Sequence, residues 1–390
     1  MRVLHICKYY PPFAGGMETF VGDLLPALQK KGVLCTALVH AHSRASISAG
    51  AVDGAGVEVI RVPTWGRLLY APVSPSFPLW LEKTLLRTKP DVIHYHMPNT
   101  SALWGLVSPL ASRIPSVVHW HSDVVASKLD KRLALAYPLY RPFENALLSK
   151  AKAIIVTSPP YLEVSQALRP WREKCKVIPL GFDPARLPEP EESQRTWAAS
   201  QWANAELRIL CVGRLTYYKG HETLIRAMAG IKGGKLILVG DGERRARLES
   251  VIDSLGLAEK VMMVGYRTEK EVRALLESCE VFCLPSVERT EAFGMVLLEA
   301  MWAGKPVVAS DVPGSGMGWV VSHGETGLLV VPADPKSLAQ ALLRLKANDA
   351  LRKAMGAAAR LRFESEFQMS RIADGIIDAY RLVLRTSMCN

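Results

Sequence analysis

The sequence predicts an α/β protein built from two doubly wound domains, and three observations carry that prediction. Short β-branched runs alternate with amphipathic helical stretches along the chain, the pattern of strands buried on both faces and joined by crossover helices. The alternation breaks between Gly181 and Glu206, where Pro184, Pro188 and Pro190 fall among Glu189, Glu191 and Glu192, which reads as a domain boundary. No apolar run reaches the ~18 residues that span a bilayer, and a chain of 390 residues, 49% hydrophobic and 22% charged, has room for at least two cores.

In order, the first half places strands at Val3 to Cys7, Leu34 to Val39, Val57 to Val62, Val92 to Tyr95, Ser116 to Trp120, Ala153 to Thr157 and Lys176 to Pro179. A helix with Phe20, Leu24 and Leu28 on one face follows the first strand and is closed by Gly32. The second series runs Leu207 to Val212, Lys235 to Val239, Val261 to Val264, Val281 to Leu284, Pro306 to Ala309 and Leu328 to Val330. Pro335 after Asp334 opens a helix, and further helices cover Ala350 to Glu364 and Ser370 to Leu384. The expected organisation is a first domain over 1–182, a linker over 183–206 and a second domain over 207–369. The last helix, about 370–390, is expected to pack back on the first domain. Ligands of such sheets bind at the carboxyl ends of the strands, so two sheets facing each other place a site in the cleft between domains.

The first residues, Met1 to Lys8, hold too short an apolar stretch for a signal peptide, and the chain is expected in the cytoplasm. Seven scattered cysteines (Cys7, Cys35, Cys175, Cys211, Cys279, Cys283 and Cys389) contain no C-x-x-C pair, which fits reduced thiols. The net charge of +11 is unevenly placed: residues 1 to 180 hold 21 Lys and Arg against 11 Asp and Glu, while the remainder is nearly balanced. Such asymmetry points to an anionic partner for the first half, whether nucleic acid, an anionic membrane or a phosphorylated substrate.

Four segments carry the chemistry. After the first strand, Gly15-Gly16-Met-Glu18 leads into a helix; glycine lets backbone approach a ligand and the helix N-terminus favours a phosphate, although a loop that only needs glycine reads the same way. After Ile209 to Val212 comes Gly213-Arg214-Leu-Thr-Tyr-Tyr-Lys219-Gly220, two cations suited to a diphosphate or, alternatively, a solvated pair. Glu291 and Glu299 flank Ala-Phe293-Gly294-Met295-Val-Leu-Leu, with Gly304 ending the helix. At 1.5 Å per residue these acids lie roughly 8 to 12 Å apart, wider than the ~5 to 9 Å of a glycosidase pair and suited to the two ends of one extended ligand. Finally, His94, His96, His119 and His121 sit near strand ends. Clustered histidines raise metal binding, yet no H-E-x-x-H or Cys/His spacing accompanies them, and no D-x-D occurs, so no metal or other cofactor is expected.

G-G-x-E, H-x-H-S-D at His119 to Asp123, G-R-x-x-x-x-K-G at 213 to 220, V-G-D-G at 239 to 242 and the pair of glutamates occur in this order. The chain resembles the retaining nucleotide-sugar glycosyltransferases of family 4, from about residue 1 to about residue 385. The resemblance implies the GT-B fold, two doubly wound Rossmann-like domains facing each other across a cleft. It implies that Gly15 and Gly16 lie beside the donor phosphates, that Arg214 and Lys219 bind the diphosphate, and that Glu291 contacts the donor sugar. Glu299 would hold the ribose hydroxyls, and the backbone N–H groups of Phe293, Gly294 and Met295 would meet sugar and phosphate. His121 matches the family histidine that reaches the transferred sugar; His119, two residues earlier, shares its face if the strand continues. Glu291, His121, Arg214 and Lys219 form the expected catalytic set, with His96 and Asp123 on the acceptor side.

The general pattern resembles bacterial polysaccharide mannosyl- and rhamnosyltransferases. GDP-mannose is therefore the expected donor and a UDP-hexose the alternative, with a lipid-linked or oligosaccharide acceptor. Trp65 to Tyr70, Phe77 to Lys83 and Lys128 to Phe143 mix aromatics with cations, which suits an anionic membrane surface at the inner face of the cell membrane. A sugar-nucleotide epimerase of the same fold and a nucleic-acid-binding protein are the rival classes; no recognised nucleic-acid motif accompanies the charge, and no nucleic-acid partner is expected.

Overall fold

The computed structural model describes residues 1–43, 46–68, 71–124 and 131–388, so Tyr70, Lys128 to Asp130 and Cys389 lie outside the described residues. The chain forms two compact units, one of Met1–Gly181 with Met369–Asn390 and one of Phe182–Gln368.

The first unit contains an eight-stranded sheet. Its strands are β1 (Arg2–Ile6), β2 (Leu34–His40), β3 (Ser48–Val52), β4 (Glu58–Val62), β7 (Val92–Met97), β8 (Ser116–Trp120), β9 (Ala153–Val156) and β10 (Cys175–Val177), after a separate hairpin of β5 (Gly66–Leu68) and β6 (Ala71–Val73). The order is β10-β9-β8-β7-β1-β2-β4-β3, parallel except for the edge pair β3 and β4. β3, β5 and β6 are short, and β3 and β5 are largely exposed, so no buried alternation announces them in the sequence. The helices Gly16–Lys30 and Met369–Met388 pack on each other. The first buries Phe20, Leu24 and Leu28 and the second Ile372, Ala373, Ile376, Tyr380 and Val383, in each case one stripe at helical spacing. β1 has β2 on one side and β7 on the other, so the strand order reverses there, the crevice where doubly wound sheets bind ligands.

The second unit contains a parallel six-stranded sheet ordered β13-β12-β11-β14-β15-β16. These are β11 (Leu207–Val212), β12 (Gly234–Val239), β13 (Val261–Gly265), β14 (Val281–Leu284), β15 (Val307–Ser310) and β16 (Gly327–Val330), and their order reverses between β11 and β14. The stretch 183–206 is not a free linker, and the expectation is corrected: it belongs to the second unit. It folds as helix Glu192–Gln201, opened by a capping box of Glu191 and Gln194. Trp202 anchors it, 1% exposed, with its indole N–H donating to Ser278 Oγ at 2.8 Å. Pro188, Glu189, Glu191 and Glu192, which read as a linker, are exposed, while Pro190 is buried; the buried tryptophan holds the stretch.

Candidate active site

In the second unit, Arg214 and Lys219 follow β11 while Ser286 and Glu291 follow β14, so the loops at the switch point carry the charged groups. The loops touch: Val287 N–H donates to Tyr218 C=O at 2.8 Å. Gly220 makes that approach possible, since it stands at φ +69° and a Cβ there would meet Pro285 O at 2.0 Å. Lys219 Nζ lies 2.5 Å from a carboxylate oxygen of Glu291, both side chains 12% exposed. Burial alone would push the Lys219 ammonium down, but the Glu291 carboxylate together with Tyr218 and Cys211 more than offsets it, and the lysine is held above its usual value. Ser286 Oγ donates to the same carboxylate at 3.4 Å, and Ser315 Oγ donates to the Glu291 carbonyl at 2.5 Å. Arg214 is exposed, and its guanidinium makes no hydrogen bond or ion pair among the described residues. Gly294, at φ +82°, caps the helix Met295–Trp302; Leu297 N–H donates to Gly294 C=O at 2.8 Å, and the helix N-terminus favours an anion.

A cavity of about 240 Å³ beside this loop is lined by Thr216, Tyr217, Glu222, Arg226 and Arg244 but by none of Arg214, Lys219, Glu291 or Glu299. It surrounds an ion-pair cluster in which Arg226, Arg244 and Arg247 converge on Glu222.

In the first unit, five histidines occupy one face of the sheet beside its switch point. His5 pairs in register with His94 and His96 with His119, and the backbone of His121 continues the ladder through its N–H to Met97 C=O at 3.0 Å. Alternation then puts all five rings on one side, beneath Phe20 and Tyr380. The rings form two layers. His5 Nδ1 lies 3.2 Å from His96 Nε2, and His96 Nδ1 lies 3.0 Å from His121 Nε2, a row of three. His94 stacks on His96 at 4.3 Å and 17°, and His119 stacks on His121 at 4.2 Å and 9°, with His94 Nδ1 2.5 Å from the Tyr380 hydroxyl. Burial pushes His5 and His121 down to about 3. It also drives His94, His96 and His119 well below the usual value, reinforced by their neighbours, so at neutral pH the rings are uncharged.

Two family models match the chain, "Glycosyl transferase 4-like domain" over residues 15–181 and "Glycosyl transferases group 1" over 194–362. The chain is 32% identical to D-rhamnosyltransferase WbpZ of Pseudomonas aeruginosa, over 94% of this chain and 92% of that protein. The chain belongs to the family-4 glycosyltransferases. O-antigen chain mannosyltransferase C of Escherichia coli is 28% identical over 99% of this chain and all of that one. Sucrose-phosphate synthase from Thermosynechococcus elongatus superposes with a TM-score of 0.80 at 26% identity, over 99% of each chain. Anabaena Alr3699/HepE in complex with UDP-glucose superposes at 0.77, with 23% identity over 97% of this chain and 98% of that one. Together these likenesses establish the GT-B fold.

Within this glycosyltransferase, some expected residues keep an open role and others are already engaged. His121 sits at the carboxyl end of β8 and is 6% exposed, whereas His119 is wholly buried. The expectation for His96 is corrected: it is wholly buried and both ring nitrogens face other histidines, so it cannot touch an acceptor. Asp123 is half-buried, and its Oδ1 accepts from Trp120 Nε1 at 2.8 Å and Ser165 Oγ at 2.7 Å. Gly15 caps the helix Gly16–Lys30, and the Glu18 carboxylate folds over it, 2.2 Å from where a Cβ would stand. Glu299 is paired with Arg186 at 2.8 Å. Sequence reasoning missed Arg186, because it lay in the supposed linker, and His5, because a single histidine in a strand carries no local signal. The described cysteines form no disulfide.

Proposed function

We propose that the protein is a retaining hexosyltransferase that moves a sugar from a nucleoside diphosphate donor, held by the second unit, to an acceptor hydroxyl held by the first. The observation that carries this reading is the buried Lys219–Glu291 pair at the switch point of the second sheet. Departure of the diphosphate builds negative charge, which Arg214, Lys219 and the N-terminus of helix Met295–Trp302 stabilise. Glu291 and His121 orient the sugar as it passes through an oxocarbenium-like state. A carboxylate already neutralised by Lys219 is the natural partner for a positive sugar carbon, because the lysine turns to the leaving phosphate as charge moves apart. Glu299 holds the ribose once it exchanges Arg186 for hydroxyls.

GDP-mannose is the proposed donor, supported by the mannosyl and rhamnosyl relatives, and the product is a surface polysaccharide or its lipid-linked precursor. A panel of nucleotides tests the base: GDP raises the melting temperature and UDP does not, and stabilisation by UDP alone overturns the choice in favour of a UDP-hexose.

We also propose that the first unit rests on an anionic membrane. No helix among the described residues is long and apolar enough to cross one. On the helix Lys131–Lys150, Leu135, Leu139 and Phe143 are 81%, 77% and 53% exposed at four-residue spacing, one unpartnered stripe beside exposed Arg132 and Arg141. The protein is expected to sediment with phosphatidylserine vesicles at low salt and release at high salt. Leu139→Glu is expected to weaken that binding at both salt concentrations; equal binding by this variant sinks the proposal.

A further inference from the structure

Beside the turn that carries Arg214 and Lys219, three guanidinium groups face one carboxylate. Arg226 grips Glu222 Oε1 through Nε at 3.2 Å and Nη2 at 2.8 Å, Arg247 Nη2 donates to the same oxygen at 3.3 Å, and Arg244 Nη2 stands 3.6 Å from Oε2. One glutamate cannot neutralise three arginines, so the cluster keeps an excess of positive charge. At its distance Arg244 has an ion pair but no hydrogen bond, and Arg226 spends both of its bonds on a single oxygen. Both arginines therefore keep N–H donors to spare.

Arg226 and Arg244 line the cavity of about 240 Å³ together with Thr216, Tyr217 and His221. Thr216 is 7% exposed and His221 2%, yet Thr216 Oγ1 and His221 Nδ1 have no hydrogen-bond partner among the described residues. A buried polar atom left unpaired is costly, so two in the lining of one cavity mark it as a site for a polar ligand. The Arg244 guanidinium lies 5.9 Å from the centroid of the half-exposed Tyr217 ring, and a ring face beside a cation suits the C–H face of a sugar whose phosphate meets the arginine. At about 240 Å³ the cavity is smaller than the ~300 Å³ at which pockets for drug-sized ligands begin, so it holds a phosphate with one sugar ring but not a whole nucleotide sugar.

We propose that this cavity is a second anion site, separate from the donor site, that takes a small phosphorylated sugar. Arg226 and Arg244 hold the phosphate oxygens in charge-assisted hydrogen bonds, Thr216 donates its hydroxyl, and the sugar ring lies on Tyr217. Glu222 and Arg247 keep the two arginines in place. Thr216, Tyr217 and Gly220 line the cavity and belong to the turn 213–220, so an occupied cavity braces Arg214 and Lys219 against the leaving diphosphate. That consequence rests on the proposed function; the binding site does not.

The test is calorimetric titration of the full chain at low salt and pH 7.5, with glucose 6-phosphate, inorganic phosphate and glucose as probes. Glucose 6-phosphate is expected to bind, inorganic phosphate to bind about tenfold more weakly, and glucose not to bind. Arg226→Leu and Arg244→Leu should each weaken glucose 6-phosphate by about tenfold to a hundredfold, and Tyr217→Ala should bring it to the level of inorganic phosphate. Thr216→Val should also weaken binding while the melting temperature of the free protein holds or rises, because the hydroxyl it removes has no partner to lose. A merely structural threonine would show the reverse. Saturating GDP or UDP should not displace the sugar phosphate. Failure of both phosphates to bind overturns the proposal, as does unchanged binding in Arg244→Leu, or displacement by a nucleoside diphosphate, which places the phosphate in the donor site. Equal affinity for inorganic phosphate overturns the sugar. If neither nucleotide binds, the proposed donor chemistry fails, while the arginine variants still decide the cavity.

Discussion

Lowering the pH from 7.5 to 5.5 is expected to strip most of the stability from the first unit. The five stacked histidines are neutral when folded, with His5 and His121 at about 3 and the other three driven well down by burial. In the unfolded chain each titrates at about 6.5. Between those values the unfolded state binds more protons, so the stability these groups confer is present above pH 6.5 and is lost as the pH falls below it. Each histidine contributes about 1.4 kcal/mol by pH 5.5, and five contribute about 7 kcal/mol, comparable with the whole stability of a domain.

The other ionisable groups around the column do not reverse this. Burial and then Glu18 raise Cys7, and burial and then Cys35 and Cys7 raise Tyr380, so Cys7 and Tyr380 stay protonated and uncharged in the acid range. Glu144, raised to about 7 by burial, acts in the opposite direction, but by one proton against five. Urea titrations at pH 7.5, 6.5 and 5.5, followed by the fluorescence of buried Trp120 and the other tryptophans, should show a transition that moves steeply with pH. Phenylalanine at position 119 should flatten the slope by about one proton. A transition insensitive to pH over this range contradicts the buried, neutral column.

Loss of either partner of the Lys219–Glu291 pair is expected to remove transfer almost completely while the second unit stays folded. On the proposed function, Lys219→Ala would take away a positive charge that stabilises the departing diphosphate, and Glu291→Ala the carboxylate that orients the sugar. Each is expected to lower kcat/KM by about a thousandfold or more. Stability separates this from mere disruption. Either single change leaves an unpaired charge in a site 12% exposed, expected to cost about 3 to 5 kcal/mol, whereas Lys219→Met with Glu291→Met removes both charges and should recover most of that loss. A double variant as stable as the wild type and without transfer supports the assignment. Full activity in either single variant sinks it.

The strands of both sheets were largely legible, because a parallel strand covered on both faces reads as a short apolar run whatever surrounds it. The edge strand β3 and the hairpin of β5 and β6 were not, since they are three to five residues long and carry no buried alternation. The motif residues Arg214, Lys219 and Glu291 were legible as charged groups after strand ends, and Glu299 as an acid inside the helix that follows. Their ion pairs were not, because the partners are far apart in sequence: Lys219 meets Glu291 when β11 and β14 become neighbours, and Arg186 meets Glu299 when 183–206 folds into the second unit.

By itself the sequence determined the periodicities, hence two α/β units, and the residue types at the ends of their strands, hence phosphate and sugar chemistry. Tertiary structure decided which groups answer one another: that 183–206 packs as part of the second unit, that His96 stands behind His121 rather than against an acceptor, and that a histidine on β1 completes the row. Periodicity is a local property of successive residues, whereas burial and hydrogen-bond partners depend on strand order, and strand order is set by how whole sheets pack.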